Sequence, residues 1–166
     1  MRNRNKKLRL FFMFGGAFVP LWFCFYFVAA IEVPQQQRLL QCTSSISHAS
    51  ITVPAGSHYE LVLGVPYPAP SPVAFQGLVT ISRQGHIIRT FPITRDNSTT
   101  CNWLHRPDLE GYILTWQRPG RGELDKLLES RHSYDLSVQW AQMPPNGSSL
   151  WLSWLQTGLD RLKPNI

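Results

Sequence analysis

The most regular pattern in the chain lies near its C-terminal third, where Tyr134, Leu136, Val138 and Trp140 alternate with Asp135, Ser137 and Gln139. Side chains along a strand repeat every second residue, so this pattern sends one face into a core and leaves the other wet. Residues 134–140 are therefore a predicted strand. Short apolar runs at 51–53, 57–63, 74–82, 86–93, 111–116 and 150–155 are predicted strands as well. They are divided by turn residues: Pro54 and Gly56, the proline-rich stretch 66–72, Gln84 and Gly85, and Pro144 to Gly147.

Gly85 can adopt a left-handed turn conformation, so the runs on either side of it are expected to form an antiparallel hairpin. The run 150–155 differs from the rest, with Trp151 and Leu155 pointing one way and Leu150, Leu152 and Trp154 the other. Such a strand is expected to be buried on both faces or covered by a partner subunit. One short helix is predicted at 123–131. Leu124, Leu127 and Leu128 share a stripe there, and Glu123 and Asp125 sit at the positive end of the helix dipole.

The opening of the chain follows another rule. Arg2, Arg4, Lys6, Lys7 and Arg9 precede an uncharged apolar stretch over residues 10–31. At about 1.5 Å per residue that stretch covers about 33 Å as a helix, close to the roughly 30 Å hydrocarbon layer of a bilayer. The cations on one side and Glu32 on the other orient it with the N-terminus cytoplasmic and the remainder periplasmic, luminal or extracellular. A cleaved signal peptide ending near Val28, Ala29 and Ala30 is the competing reading, but the apolar stretch is longer than a usual signal core.

The expected fold class is thus mainly β: a single N-terminal transmembrane helix followed by a small antiparallel β-sandwich-like external domain with one short helix. The expected organisation is a cytoplasmic basic stub at 1–9, the membrane helix at 10–31, a connector or edge segment at 32–50 and the β-rich domain at 51–166. Seven of the nine Phe fall in the apolar stretch. Phe14, Phe18, Trp22, Phe25 and Tyr26 are candidates for packing against a neighbouring helix, because shaped aromatic bulk exceeds what membrane retention needs.

Formal net charge is +6, yet the N-terminal cluster accounts for most of it, leaving eleven basic against ten acidic residues afterwards. Without a basic run or aromatic–basic interleaving, nucleic-acid binding is excluded. No nucleophile elbow, phosphate-cradling loop or dinucleotide loop occurs, and the five His are isolated from one another, with no Cys-x-x-Cys, His-Glu-x-x-His or His-x-His element. No catalytic residue, metal ligand or cofactor is therefore assigned, and the chain is not expected to be an enzyme.

In an oxidising compartment Cys42 and Cys101 are expected to form a disulfide, since Cys24 lies within the apolar stretch. Trp103, Tyr112 and Trp116 are candidate contacts for a ligand or partner. Asn97 and Asn146 each begin an Asn-x-Ser/Thr acceptor, conditional on a host that glycosylates. These readings converge on a non-catalytic accessory subunit of a membrane-bound complex, its partners being membrane lipid and other membrane subunits. The alternative is a membrane-anchored carbohydrate- or peptide-recognition module.

Overall fold

The computed structural model describes residues 31–69, 71–101, 106–114 and 123–157. In chain order the elements are β1 (Val33–Gln41), β2 (Ile46–Thr52), β3 (Ser57–Pro66), β4 (Gln76–Arg83) and β5 (His86–Thr94), followed by β6 (Thr99–Cys101), β7 (Leu109–Ile113), a short helix α1 (Glu123–Leu127), β8 (Ser133–Gln142) and β9 (Ser149–Gln156). They build two antiparallel sheets, one ordered β1-β9-β3-β7-β6 and the other β2-β8-β4-β5.

The pairing follows a simple rule: β1 lies against β9, β2 against β8 and β3 against β7, while β4 and β5 form the hairpin at which the chain doubles back. A long doubled chain wrapped so that the strands divide between two sheets is the jelly-roll arrangement, and it leaves two faces and open edges instead of a closed barrel. The hairpin turn is as the glycine implied. Arg83 pairs with His86, and Gln84 and Gly85 both have positive φ, 52° and 80°. That is the type I′ geometry matched to strand twist.

Between the sheets, Tyr134, Leu136, Val138 and Trp140 of β8 face Leu61, Leu63, Leu150 and Leu152 from the other layer. The β9 strand is apolar on both sides, fully buried on one and half-buried at Trp151 and Leu155 on the other. Leu150, Leu152 and Trp154 enter this core, while Trp151 joins Val62, Cys101, Leu109 and Ile113 in a second apolar cluster on the outer side of the five-stranded sheet. α1 closes one end of the sandwich. Leu124 and Leu128 are buried, and Asp125 accepts the Tyr59 N–H at 2.7 Å.

Several expectations are corrected. Among the described residues no helix is long and apolar enough to cross a membrane, and the one helix there, α1, has five residues. Residues 10–30 of the expected span, with Phe14, Phe18, Trp22, Phe25 and Tyr26, lie outside the described residues. The transmembrane part of the fold class loses its support, and with it the single-pass location, lipid as a partner and an accessory subunit held by that helix. Residues 33–41 and 46–52, read as a connector or edge segment apart from the last two, are the edge strands β1 and β2. Their alternation is hidden by Gln and Ser at half-buried positions.

The disulfide is also absent: Cys42 and Cys101 are buried and not bonded to each other. The reason is topological. Cys42 follows β1 and Cys101 ends β6, the two opposite edges of the five-stranded sheet. Four inter-strand spacings separate those edges by about 19 Å, far beyond the roughly 4.4–6.8 Å between Cα atoms that a disulfide spans. They also lie on opposite faces, Cys42 in the central core and Cys101 in the outer cluster.

Candidate recognition surface

The outer face of the four-stranded sheet is set by the register of its strands. Residues directly opposite one another share a face, which gives transverse rows: Ile46, Gln139, Leu78 and Pro92; then His48, Ser137, Thr80 and Thr90; then Ser50, Asp135, Ser82 and Ile87. Several polar groups of the lower rows pair with one another. Thr80 and Thr90 hydroxyls lie 3.1 Å apart, Ser50 donates to Asp135 at 2.6 Å, and Thr52 and Ser133 are 3.0 Å apart.

The upper end is different. Leu78 is 45% exposed and Ile46 is 52% exposed there, and although Ile87 in the lowest row is 70% exposed as well, only the upper pair adjoins a hollow. A cavity of about 330 Å³ opens there, lined by Gln76, Leu78, Pro92, Thr94, Gln139 and Ala141, with Gly77 and Trp140 behind them. This is at the small end of the roughly 300–1,000 Å³ range of ligand pockets. The lining contains no charged residue. The carboxamides of Gln76 and Gln139 make no side-chain hydrogen bond to other described residues, so their donors and acceptors remain available to a ligand.

The local backbone explains the hollow. β8 bulges at Ala141, since Gln76 pairs with Gln142 while Gly77 pairs with Trp140. A bulge bends its strand and interrupts the row of side chains. Gly77 sits where the two strands pass closely. A Cβ there would come within 2.6 Å of the Gln139 carbonyl oxygen and 3.0 Å of Trp140 Cε3, so no larger residue fits without displacing backbone.

Behind the cavity the Trp140 ring is held by an edge-on contact with Phe75, at 6.4 Å between centroids and 87°. Phe75 in turn stands edge-on to Tyr112 at 5.8 Å, and Arg95 lies over the Tyr112 ring at 4.8 Å. Offset and edge-on aromatic geometry of this kind is favourable and directional. The wall of the cavity is thus fixed by packing that crosses both sheets. The indole N–H of Trp140 is buried without a hydrogen-bond partner among the described residues.

Of the sequence candidates, Tyr112 is 2% exposed and belongs to this aromatic core. Burial, with Glu110 beside it, raises its phenol above the ordinary range. It offers no surface ring to a ligand. Trp103 and Trp116 lie outside the described residues. Asn97 and Asn146 are exposed, in the turns after β5 and β8. Cys42 is an inert core group, its thiol pushed up to about 12 by burial.

The surface residues Gln76, Leu78, Pro92 and Gln139 were not among the sequence candidates. A signal existed for two of them. Leu78 is apolar at an outward position between the inward-facing Gly77 and Val79, and Pro92 interrupts a strand-like run, which marks an edge. No protein-family model, curated protein or solved structure matches the chain.

Proposed function

We propose that the chain is a non-catalytic recognition domain that takes an uncharged, extended polypeptide segment across the outer face of its four-stranded sheet. The observation that carries this reading is the cavity at its upper end, an apolar floor of Leu78 and Pro92 flanked by the exposed carboxamides of Gln76 and Gln139. Carboxamides match peptide groups in both donor and acceptor, and an apolar floor accepts one aliphatic side chain. A sugar ring fits less well, because the floor presents no exposed aromatic face; Trp140 is only 5% exposed. The lining holds no acid or base, and its one hydroxyl, on Thr94, accepts from the Asn97 N–H at 3.1 Å, an arrangement suited to binding.

Selection of a displayed random-peptide library on the purified full chain, run beside a glycan array, tests the reading. The expected result is enrichment of uncharged peptides whose affinity falls by about tenfold or more with Leu78→Glu, the scale of about 1.4 kcal/mol. Glycan binding at this face, or peptide binding indifferent to Leu78→Glu and Gln139→Ala, would contradict it.

A further inference from the structure

A sheet edge is a row of unpaired main-chain donors and acceptors, and folded proteins blunt it with proline, charge, bulges or shortness. Three of the four edges here are blunted. β1 contains Pro34 and a bulge at Leu39, β5 contains Pro92 and a bulge at Ile88, and β6 has three residues.

β2 has none of these devices. Its sequence Ile46-Ser-His-Ala-Ser-Ile-Thr52 holds no proline, Lys, Arg, Asp or Glu, and its register with β8 runs unbroken from end to end. The direction of its free groups can be read from its flanks. Ser45 C=O accepts from Trp140 N–H at 2.7 Å, and Val53 N–H donates to His132 C=O at 2.9 Å, so odd-numbered residues turn their main-chain groups towards β8. Antiparallel alternation then turns the N–H and C=O groups of Ile46, His48, Ser50 and Thr52 outward, where no described strand lies. One of these, the Ile46 carbonyl, also accepts from the Ser44 hydroxyl. The side chains of all four residues are exposed.

We propose that β2 pairs antiparallel with β2 of a second copy of the chain, about a twofold axis at Ala49, so that the two four-stranded sheets become one continuous sheet. The strand is complementary to itself in that register, as a twofold contact requires. Ile46 meets Thr52 of the second copy and His48 meets Ser50, each pair exchanging outward main-chain hydrogen bonds, while Ser47 meets Ile51. Ala49 meets its own copy in a pair without hydrogen bonds, where Cα atoms approach to about 4.5 Å. No like charges are brought together across the pair. The proposal is independent of the peptide-binding reading, because β2 does not line the cavity.

Sedimentation velocity of the purified full chain over a range of concentrations tests it, together with three variants. The wild type is expected to dimerise reversibly. His48→Lys, a surface change with no buried partner, and Ser50→Pro, which removes an outward N–H, are each expected to weaken the dimer by about tenfold or more. Ala49→Cys, oxidised, is expected to give a covalent dimer whose bridge maps by mass spectrometry to position 49, because about 4.5 Å falls within the roughly 4.4–6.8 Å disulfide range. A wild type that stays monomeric, a dimer that His48→Lys leaves unchanged with its circular dichroism intact, or a bridge absent from position 49 would overturn the proposal.

Discussion

Cys42 shows how burial at one residue becomes a property of the folded state. Its thiol lies in the core between the sheets, and desolvation of the thiolate moves it from the ordinary 9.0 up to about 12. Below pH 9 the thiol is neutral in both folded and unfolded chains, and burial imposes no pH dependence. As pH rises from about 9 towards about 12 the unfolded chain loses the proton while the folded one keeps it, so stability falls across that window. Chemical denaturation of the wild type and of Cys42→Ala checks the sign. The wild type is expected to lose stability relative to the variant between those pH values, and parallel curves would contradict the assignment. The sequence could suggest a role for this cysteine only through the compartment it was placed in. The sheet order, which sets Cys42 and Cys101 at opposite edges, is a long-range fact with no local signature.

At the scale of elements, legibility followed local periodicity. β8 could be read because its alternation is complete and its inward side is uniformly large, and Tyr134, Leu136, Val138 and Trp140 are all buried. β9 could be read as two-sided because both its faces are apolar, and it lies inside the sheet between β1 and β3. β1 could not. Gln35, Gln36 and Gln37 blur the contrast between faces, and the bulge at Leu39 shifts the period, so only pairing with β9 makes it a strand. The recognition surface was hidden for the same reason, since Leu78 and Pro92 become neighbours only through the β4–β5 register. The two faces of β8 give a direct check. Leu136→Ala removes a side chain that is 1% exposed at the centre of the core and is expected to cost about 2–5 kcal/mol, whereas Ser137→Ala on the outer face is expected to stay within about 0.5 kcal/mol. Equal losses in urea denaturation would contradict the assignment of faces.

For the molecule as a whole, the jelly-roll wrapping divides labour between its two faces. The five-stranded sheet carries an apolar cluster on its outer side, Val62, Cys101 and Ile113, all buried. The four-stranded sheet carries mainly polar rows below, with Ile87 exposed among them, and an uncharged hollow above, held in place by a bulge, a glycine and an aromatic stack that spans the core. Fold alone assigns no function to such a sandwich. The local chemistry of that hollow is what points to peptide recognition. The most direct measurement is an amide NMR titration of the isotope-labelled full chain with a selected uncharged peptide. Binding at the hollow is expected to concentrate shift changes on Gln76, Gly77, Leu78, Thr94, Gln139, Trp140 and Ala141, with changes fading in the lower rows. Changes confined to the five-stranded sheet or to the turns after β5 and β8, with these residues unmoved, would contradict it.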